Sequence, residues 1–256
     1  MNGVLEIKNV SKAFGGIKAV QDFNLSLGAE QVVGLIGPNG AGKTTVFNLI
    51  TGIYVPDSGQ ITLMGEPVTG LRPDLIALKG VARTFQNIRL FKELTVIENV
   101  MVALEARSGY SVLTSLTHAG PYSRQVSRAR CAAMEILRVL GLEADAGKRA
   151  TALPYGHQRK LEIARALALS PRILLLDEPT SGMNPVETEE MISTIARIQK
   201  QFSLAILMIE HHMGVVMSIC DRIVVLNFGK TIAAGTPQEV RSNPAVIEAY
   251  LGREDE

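Results

Sequence analysis

Apolar residues along this chain follow two rhythms. From Leu5 to Leu27 they alternate with polar ones, in "VLEIKNV" and "DFNLSL" on either side of a turn at "FGGIKAV", which predicts two short strands of a half-buried antiparallel layer. "SGQITLMGEPV" from Ser58 repeats that rhythm, with a Pro-Asp turn before it and Gly65 closing a hairpin. Four other segments, "QVVGLIG", "RILLLDE", "LAILMIE" and "RIVVLNFGK", are apolar almost without a break, the pattern of parallel strands buried on both faces. Between them the spacing widens to three and four: Val46, Leu49 and Ile50; then Val126, Ala129, Ala133, Leu137 and Leu140; then the stretch "PVETEEMISTIARIQKQ". Strands alternating with helices predict an α/β fold. The helical stretch from Val100 to Leu142 predicts a helical subdomain within it.

Length, charge and cysteine usage narrow this picture. At 256 residues the chain fits one domain with subdomains rather than two independent cores. Its 26 basic and 25 acidic residues give no long-range positive field, so a nucleic-acid partner is disfavoured. Cys131 and Cys220 lie far apart without a CxxC pair and are expected to be small buried hydrophobes in a reducing compartment. His118, Arg124, Arg128 and Arg130 read as loop and solvated helix face. No charged-then-apolar leader opens the chain, and its longest apolar runs fall well short of the ~20 residues of a membrane span. Membrane association is therefore expected to be peripheral.

The chemistry begins at "GLIGPNGAGKTTVFNL". Gly37, then Pro38, Asn39, Gly40 and Ala41, then Gly42, Lys43 and Thr44 match G-x-x-x-x-G-K-[ST] without a gap, between an apolar strand and a helix. Such a loop turns successive N–H groups, including that of Thr45, toward phosphate oxygens, and the helix N-terminus adds partial positive charge. Lys43 is then expected at the β and γ phosphates and the Thr44 hydroxyl on Mg²⁺. A second strand ends in Asp177 and Glu178; in a phosphate-loop ATPase these residue types serve as Mg²⁺ holder and as orienter of the attacking water.

"LPYGHQRKLEIARAL", standing immediately before that strand, resembles the signature loop of the ATP-binding-cassette ATPases, usually Leu-Ser-Gly-Gly-Gln. Pro154 stands at the usual serine place, Tyr155 at the first glycine and His157 at the glutamine, while Gly156 is kept. The resemblance implies a P-loop NTPase (RecA-like) core with an antiparallel β subdomain, residues 1–86 and 160–256, and a helical subdomain, 87–159, that carries the signature loop. It also implies roles. Gln86, in "FQN", is similar to the glutamine that contacts Mg²⁺ or the attacking water, and His211, in "IEHHM", to the switch histidine at the γ phosphate. His212 follows where an Asp is common. Phe14 looks like the aromatic that stacks on adenine, and Asn184, in "SGMNP", takes the D-loop aspartate's place. Phe14, residues 37–45, Gln86, Tyr155, Gly156 and His157 would hold ATP, Thr44, Gln86 and Asp177 would hold Mg²⁺, and Glu178 and His211 would be catalytic.

"VARTFQNIRLFKELTVIENVMVA", the insert "ALEARSGYSVLTSLTHAGPYSR" and the ending "GTPQEVRSNPAVIEAYLG" further resemble the LivG-type ATP-binding subunits of branched-chain amino acid importers. That resemblance implies a second cassette ATPase in a head-to-tail heterodimer, or a homodimer of this chain alone. It further implies two transmembrane permease subunits, an indirect periplasmic or surface binding protein, and a place on the cytoplasmic face of the inner membrane. Importers of urea or short amides have similar ATPases. A small-molecule kinase has no use for "LPYGHQ", a soluble cassette ATPase acting on nucleic acid fits the balanced charge poorly, and a non-hydrolysing nucleotide sensor has no use for Glu178.

Overall fold

The computed structural model describes residues 3–108 and 121–251, whose strands form two sheets. β1 (Leu5–Phe14), β2 (Ile17–Leu27), β4 (Ser58–Leu63) and β5 (Glu66–Pro67) make an antiparallel sheet in the order β2-β1-β4-β5, with the hairpin at Gly65 as expected. β1 and β2 are longer than their alternation suggests. They run to a turn at Gly15 and Gly16, where Phe14 faces Ile17, so most of "FGGIKAV" is strand. Register shifts between Ile7 and Ala13 break the period-two pattern while leaving the strands paired, which is why the sequence shows only their ends.

The second sheet runs β10-β9-β3-β8-β7-β6, built from β3 (Val32–Ile36), β6 (Val81–Arg83), β7 (Ile173–Asp177), β8 (Ala205–Ile209), β9 (Arg222–Asn227) and β10 (Lys230–Gly235). Its neighbours are parallel except β9 with β10. Every residue of β3, β7 and β8 is buried. The pleat sorts these side chains to two sides. Ile36, Leu174, Leu176, Ile206 and Met208 face a core shared with helices. Val33, Leu35, Ile173, Leu175 and Leu207 face another, shared with α1 (Lys43–Ile50) and with Leu5, Phe23 and Ile61 of the antiparallel sheet. The parallel sheet is thus the middle layer, and the ends of β3, β7 and β8 open on a common edge, where a doubly covered sheet places its ligands.

α3 (Val96–Ser108), α4 (Pro121–Val139) and α5 (Tyr155–Ala168) share the helical core through Val100, Ala133, Leu137, Leu140, Leu161 and Ala164. Val126 and Ala129, expected on the same stripe, are half-buried. Cys131 departs from expectation: it is exposed, because two residues before Ala133 is about 200° around the helix, away from the core. Cys220 is buried as expected, and Arg128 and Arg130 are solvated. His118, the side chain of Arg124 and most of the insert between Ala103 and Arg124 lie outside the described residues. α2 (Pro73–Leu78), α6 (Pro185–Gln201), α7 (Met213–Ile219), α8 (Pro237–Arg241) and α9 (Pro244–Leu251) complete the described α-helices, and no described helix is long and apolar enough to cross a membrane.

Candidate functional site

β3 stops at Ile36 and α1 starts at Lys43, leaving six residues, Gly37 to Gly42, for the loop. Two glycines are dictated by sterics. Gly37 has φ 148°, and a Cβ there would stand 2.0 Å from the Leu226 carbonyl oxygen; Gly42 has φ 104°, and a Cβ there would stand 2.3 Å from the Ala19 carbonyl oxygen. The loop is therefore wedged between the end of β9 and strand β2, and a side chain at either glycine would force it open. The Ala41 N–H bonds the Pro38 carbonyl at 3.1 Å, and the Gly229 N–H bonds the Ala41 carbonyl at 3.0 Å. Lys43 is buried, and its Nζ donates to the carbonyls of Gly37 at 2.6 Å and Pro38 at 2.9 Å, so the cation already lies across the loop. Thr44 is exposed on the first turn of α1, which no side chain caps.

Across the sheet edge, Asp177 ends β7 and Glu178 follows in the left-handed region, φ 50°, its N–H held by the Ile209 carbonyl at 2.9 Å. A non-glycine residue is strained there, and the strain turns the carboxylate toward neighbouring loops. Its Oε2 accepts Gln86 Nε2 at 3.0 Å and its Oε1 pairs with His211 Nε2 at 2.6 Å. Three residues far apart in sequence thus meet on one carboxylate. Beside them the Arg83 guanidinium donates to Asp177 Oδ2 at 2.8 Å, with both side chains nearly buried.

Several residues that the motifs do not name hold this cluster. Glu210, 1% exposed, accepts the Thr180 N–H at 2.9 Å and hydroxyl at 2.6 Å on one oxygen and the His211 N–H at 3.1 Å on the other. It fastens the loop after β8 to the loop after β7. Arg159, 4% exposed, donates to the carbonyls of Phe85 at 2.8 Å and Gln86 at 2.5 Å. Glu162 accepts the Phe85 N–H at 3.2 Å, and its burial raises its pKa against the pull of that bond and of Arg159. The helix carrying the signature segment therefore grips the backbone around Gln86. Each had a sequence signal: a charge closing or entering an apolar run, in "LAILMIE" and "VART", or an Arg and Glu three apart on the buried side of an amphipathic helix.

The signature segment is ordered from within. Pro154 is the N-cap of α5 and makes no side-chain cap bond. The Tyr155 hydroxyl accepts from Arg159 Nε at 3.2 Å and Nη2 at 3.0 Å, and buried Gly156 packs beside Glu187. His157 Nδ1 lies 3.0 Å from Asp145 Oδ2; a hydrogen bond from Lys148, with a further one from His157, holds Asp145 below the usual carboxylate range. Asn184 caps α6, accepting the Glu187 N–H at 3.0 Å while Glu187 accepts the Asn184 N–H at 3.1 Å. His212 is the N-cap of α7. Phe14, 40% exposed at the end of β1, packs edge-on to Tyr54, ring centroids 5.0 Å apart. The site so assembled offers backbone N–H groups and one lysine to phosphates, hard oxygen donors at Thr44 and Asp177, and a carboxylate held by an amide and an imidazole.

The chain is similar to known proteins over nearly its whole length. The ABC transporter family matches residues 20–181, and the branched-chain amino acid ATP-binding cassette transporter family matches residues 230–256. The chain is 47% identical, over 97% of its length and 98% of the relative's, to the high-affinity branched-chain amino acid transport ATP-binding protein BraF of Pseudomonas aeruginosa. It is 46% identical, with the same coverage, to LivG of Escherichia coli, which bears the same description. The crystal structure of the ADP conformation of MJ1267, an ATP-binding cassette of an ABC transporter, superposes with a TM-score of 0.86 at 31% identity, over 99% of this chain and 100% of that one. The chain belongs to the ATP-binding-cassette transporter family, as one of its ATPase subunits.

Proposed function

We propose that this chain binds ATP with Mg²⁺ and hydrolyses it to drive import of branched-chain amino acids, from the cytoplasmic face of the membrane. The observation that carries the chemistry is the Glu178 carboxylate, held between Gln86 and His211 beside Asp177 and on the same sheet edge as the phosphate loop. Lys43 leaves the carbonyls of Gly37 and Pro38 to take the β and γ phosphates, and the loop N–H groups bind the rest. Thr44 and Asp177 suit a hard cation, with Gln86 beside them; the cation's part is to neutralise charge on the β and γ phosphates. Glu178 takes the proton of the attacking water. His211 and Lys43 stabilise the charge gathering on the γ phosphate, and Phe14 stacks on the adenine. Catalysis is then mainly positioning and electrostatics.

The chain works with a second cassette ATPase, head to tail, so that Tyr155, Gly156 and His157 face the nucleotide of the partner. In this division, residues 87–159 form the helical subdomain that meets two permease subunits, with the binding protein acting through them. A cleft of about 330 Å³ lined by Gln86, Asn87, Ile88, Leu90, Lys92 and Tyr155 supports this, because an element seated there touches the residue that reaches Glu178. BraF and LivG serve branched-chain amino acid transport at 46 to 47% identity, against 33% for the lipopolysaccharide export protein LptB of Haemophilus influenzae. The test is ATPase turnover of the chain assembled with its permeases in lipid. Stimulation by a leucine-loaded binding protein, and none by urea or short amides, is expected; the reverse pattern overturns the substrate assignment.

A further inference from the structure

Arg83 has no place in the roles above, yet its guanidinium is bonded to Asp177, which stands among them. It closes β6, and its guanidinium spans two elements. Nη2 donates to Asp177 Oδ2 at 2.8 Å, and Nη1 donates to Asn48 Oδ1 at 2.7 Å. The group lies 5.3 Å from the ring centroids of both Phe47 and Phe85, and only 8% of the side chain is exposed. Asn48 stands four residues after Thr44 on α1, one turn along the same helix face. One end of the guanidinium thus grips the helix that carries Thr44, and the other grips the carboxylate of Asp177.

We infer that Arg83 is a positioning residue for the metal site: a rigid strut that sets the spacing between the Thr44 hydroxyl and the Asp177 carboxylate. The planar fork suits this task, since two donors at fixed separation meet two acceptors on different elements, whereas a lysine ammonium is a single point. The buried Nε has no hydrogen-bond partner among the described residues, so the side chain is held by its two ends and by the rings. Because only Thr84 separates Arg83 from Phe85 and Gln86, a shift of the segment around Gln86 moves the strut, and with it the separation of the two metal-holding elements. This inference rests on the Mg²⁺ reading of the site.

Two simpler roles make opposite forecasts. If Arg83 only neutralises Asp177, then Arg83→Lys is harmless, Asn48→Leu is harmless, and removing the charge in Arg83→Met tightens cation binding. If it only fills space, Arg83→Met is harmless. A strut forecasts that Arg83→Lys and Asn48→Leu both weaken the metal. The experiment uses Mn²⁺ as probe, titrated into the purified chain with ATP and read by electron paramagnetic resonance, alongside ATP affinity in excess EDTA. Arg83→Lys should weaken Mn²⁺ by at least ~10-fold and Asn48→Leu in the same direction, the scale of lost outer-shell support, with metal-free ATP affinity kept within about two-fold. Asn48→Leu leaves the Arg83–Asp177 pair intact, so it decides the question even where Arg83→Lys fails to fold. Unchanged Mn²⁺ affinity in Asn48→Leu, or tighter binding in Arg83→Met, overturns the strut while the site reading stands. Absence of ATP-dependent Mn²⁺ binding in the unsubstituted chain overturns both.

Discussion

Replacing Glu210 by glutamine removes one charge and no volume, at a residue that no motif names. The carboxylate receives four donors: the Thr180 N–H and hydroxyl on one oxygen, and the His211 N–H with a longer contact from the His212 N–H, 3.5 Å, on the other. A hydrogen bond to a charged group contributes about 1.5 to 3 kcal/mol and a neutral one about 0.5 to 1.5, as net values that already include desolvation. In Glu210→Gln the amide oxygen keeps both Thr180 bonds at neutral strength, a loss of about 2 kcal/mol. The amide nitrogen then faces the His211 N–H, donor against donor, which costs about another 1 to 3 kcal/mol. The sum, about 3 to 5 kcal/mol, is a large part of a typical domain's stability and lowers Tm by roughly 6 to 20 °C at this size. Calorimetry of the purified variant reads it directly. The variant should still bind ATP at 4 °C, since Lys43 and the phosphate loop are untouched, but hydrolyse it more slowly because the His211 backbone has lost its anchor. A Tm within about 2 °C of the parent protein would refute this account of how the loops after β7 and β8 are joined.

Other perturbations have equally definite outcomes. Lys43→Ala removes the charge now lying across Gly37 and Pro38; titration calorimetry should show ATP binding roughly 10- to 150-fold weaker, one charge-assisted contact, and unchanged affinity would contradict the phosphate-loop reading. Cys131 is exposed while burial pushes Cys220 up to about 12. A thiol-specific disulfide reagent at pH 8 should therefore label one thiol per native chain and two after denaturation, and rapid labelling of both in the native protein would contradict the fold. Pro154 has neither the hydroxyl nor the N–H that a serine would offer the partner's nucleotide. Pro154→Ser should strengthen ATP-dependent pairing with the second cassette subunit, measured by gel filtration, and no gain would show that the missing serine hydroxyl costs the pairing nothing.

Contiguity decided what the sequence could reveal. The phosphate loop is legible because one stretch of eight residues carries both the glycines that the wedge between Leu226 and Ala19 demands and the lysine that fills it. Buried strands such as β3, β7 and β8 are legible because burial on both faces leaves no polar interruption. The bulged strands β1 and β2 were half hidden, since each register shift inverts the alternation that marks a strand. Arg83, Asn48, Glu210 and Arg159 could be noticed but not assigned to the site, because the partners that place them there lie 30 to 94 positions away. Each was only a polar residue in an apolar setting, and the identity of its partner depends on the sheet order that brings β6, β7 and β8 side by side.

Glu178→Gln in the chain assembled with its partner ATPase and permeases tests the account most directly, with ATP binding and phosphate release measured on the same preparation. Glutamine still offers an oxygen to Gln86 or His211, so the loop stays in place and MgATP should bind at close to the parent affinity. Phosphate release should fall by at least ~10²-fold, the scale of a positioned base. Near-parental phosphate release would show that the carboxylate between Gln86 and His211 takes no proton, and the proposed chemistry would fall with it.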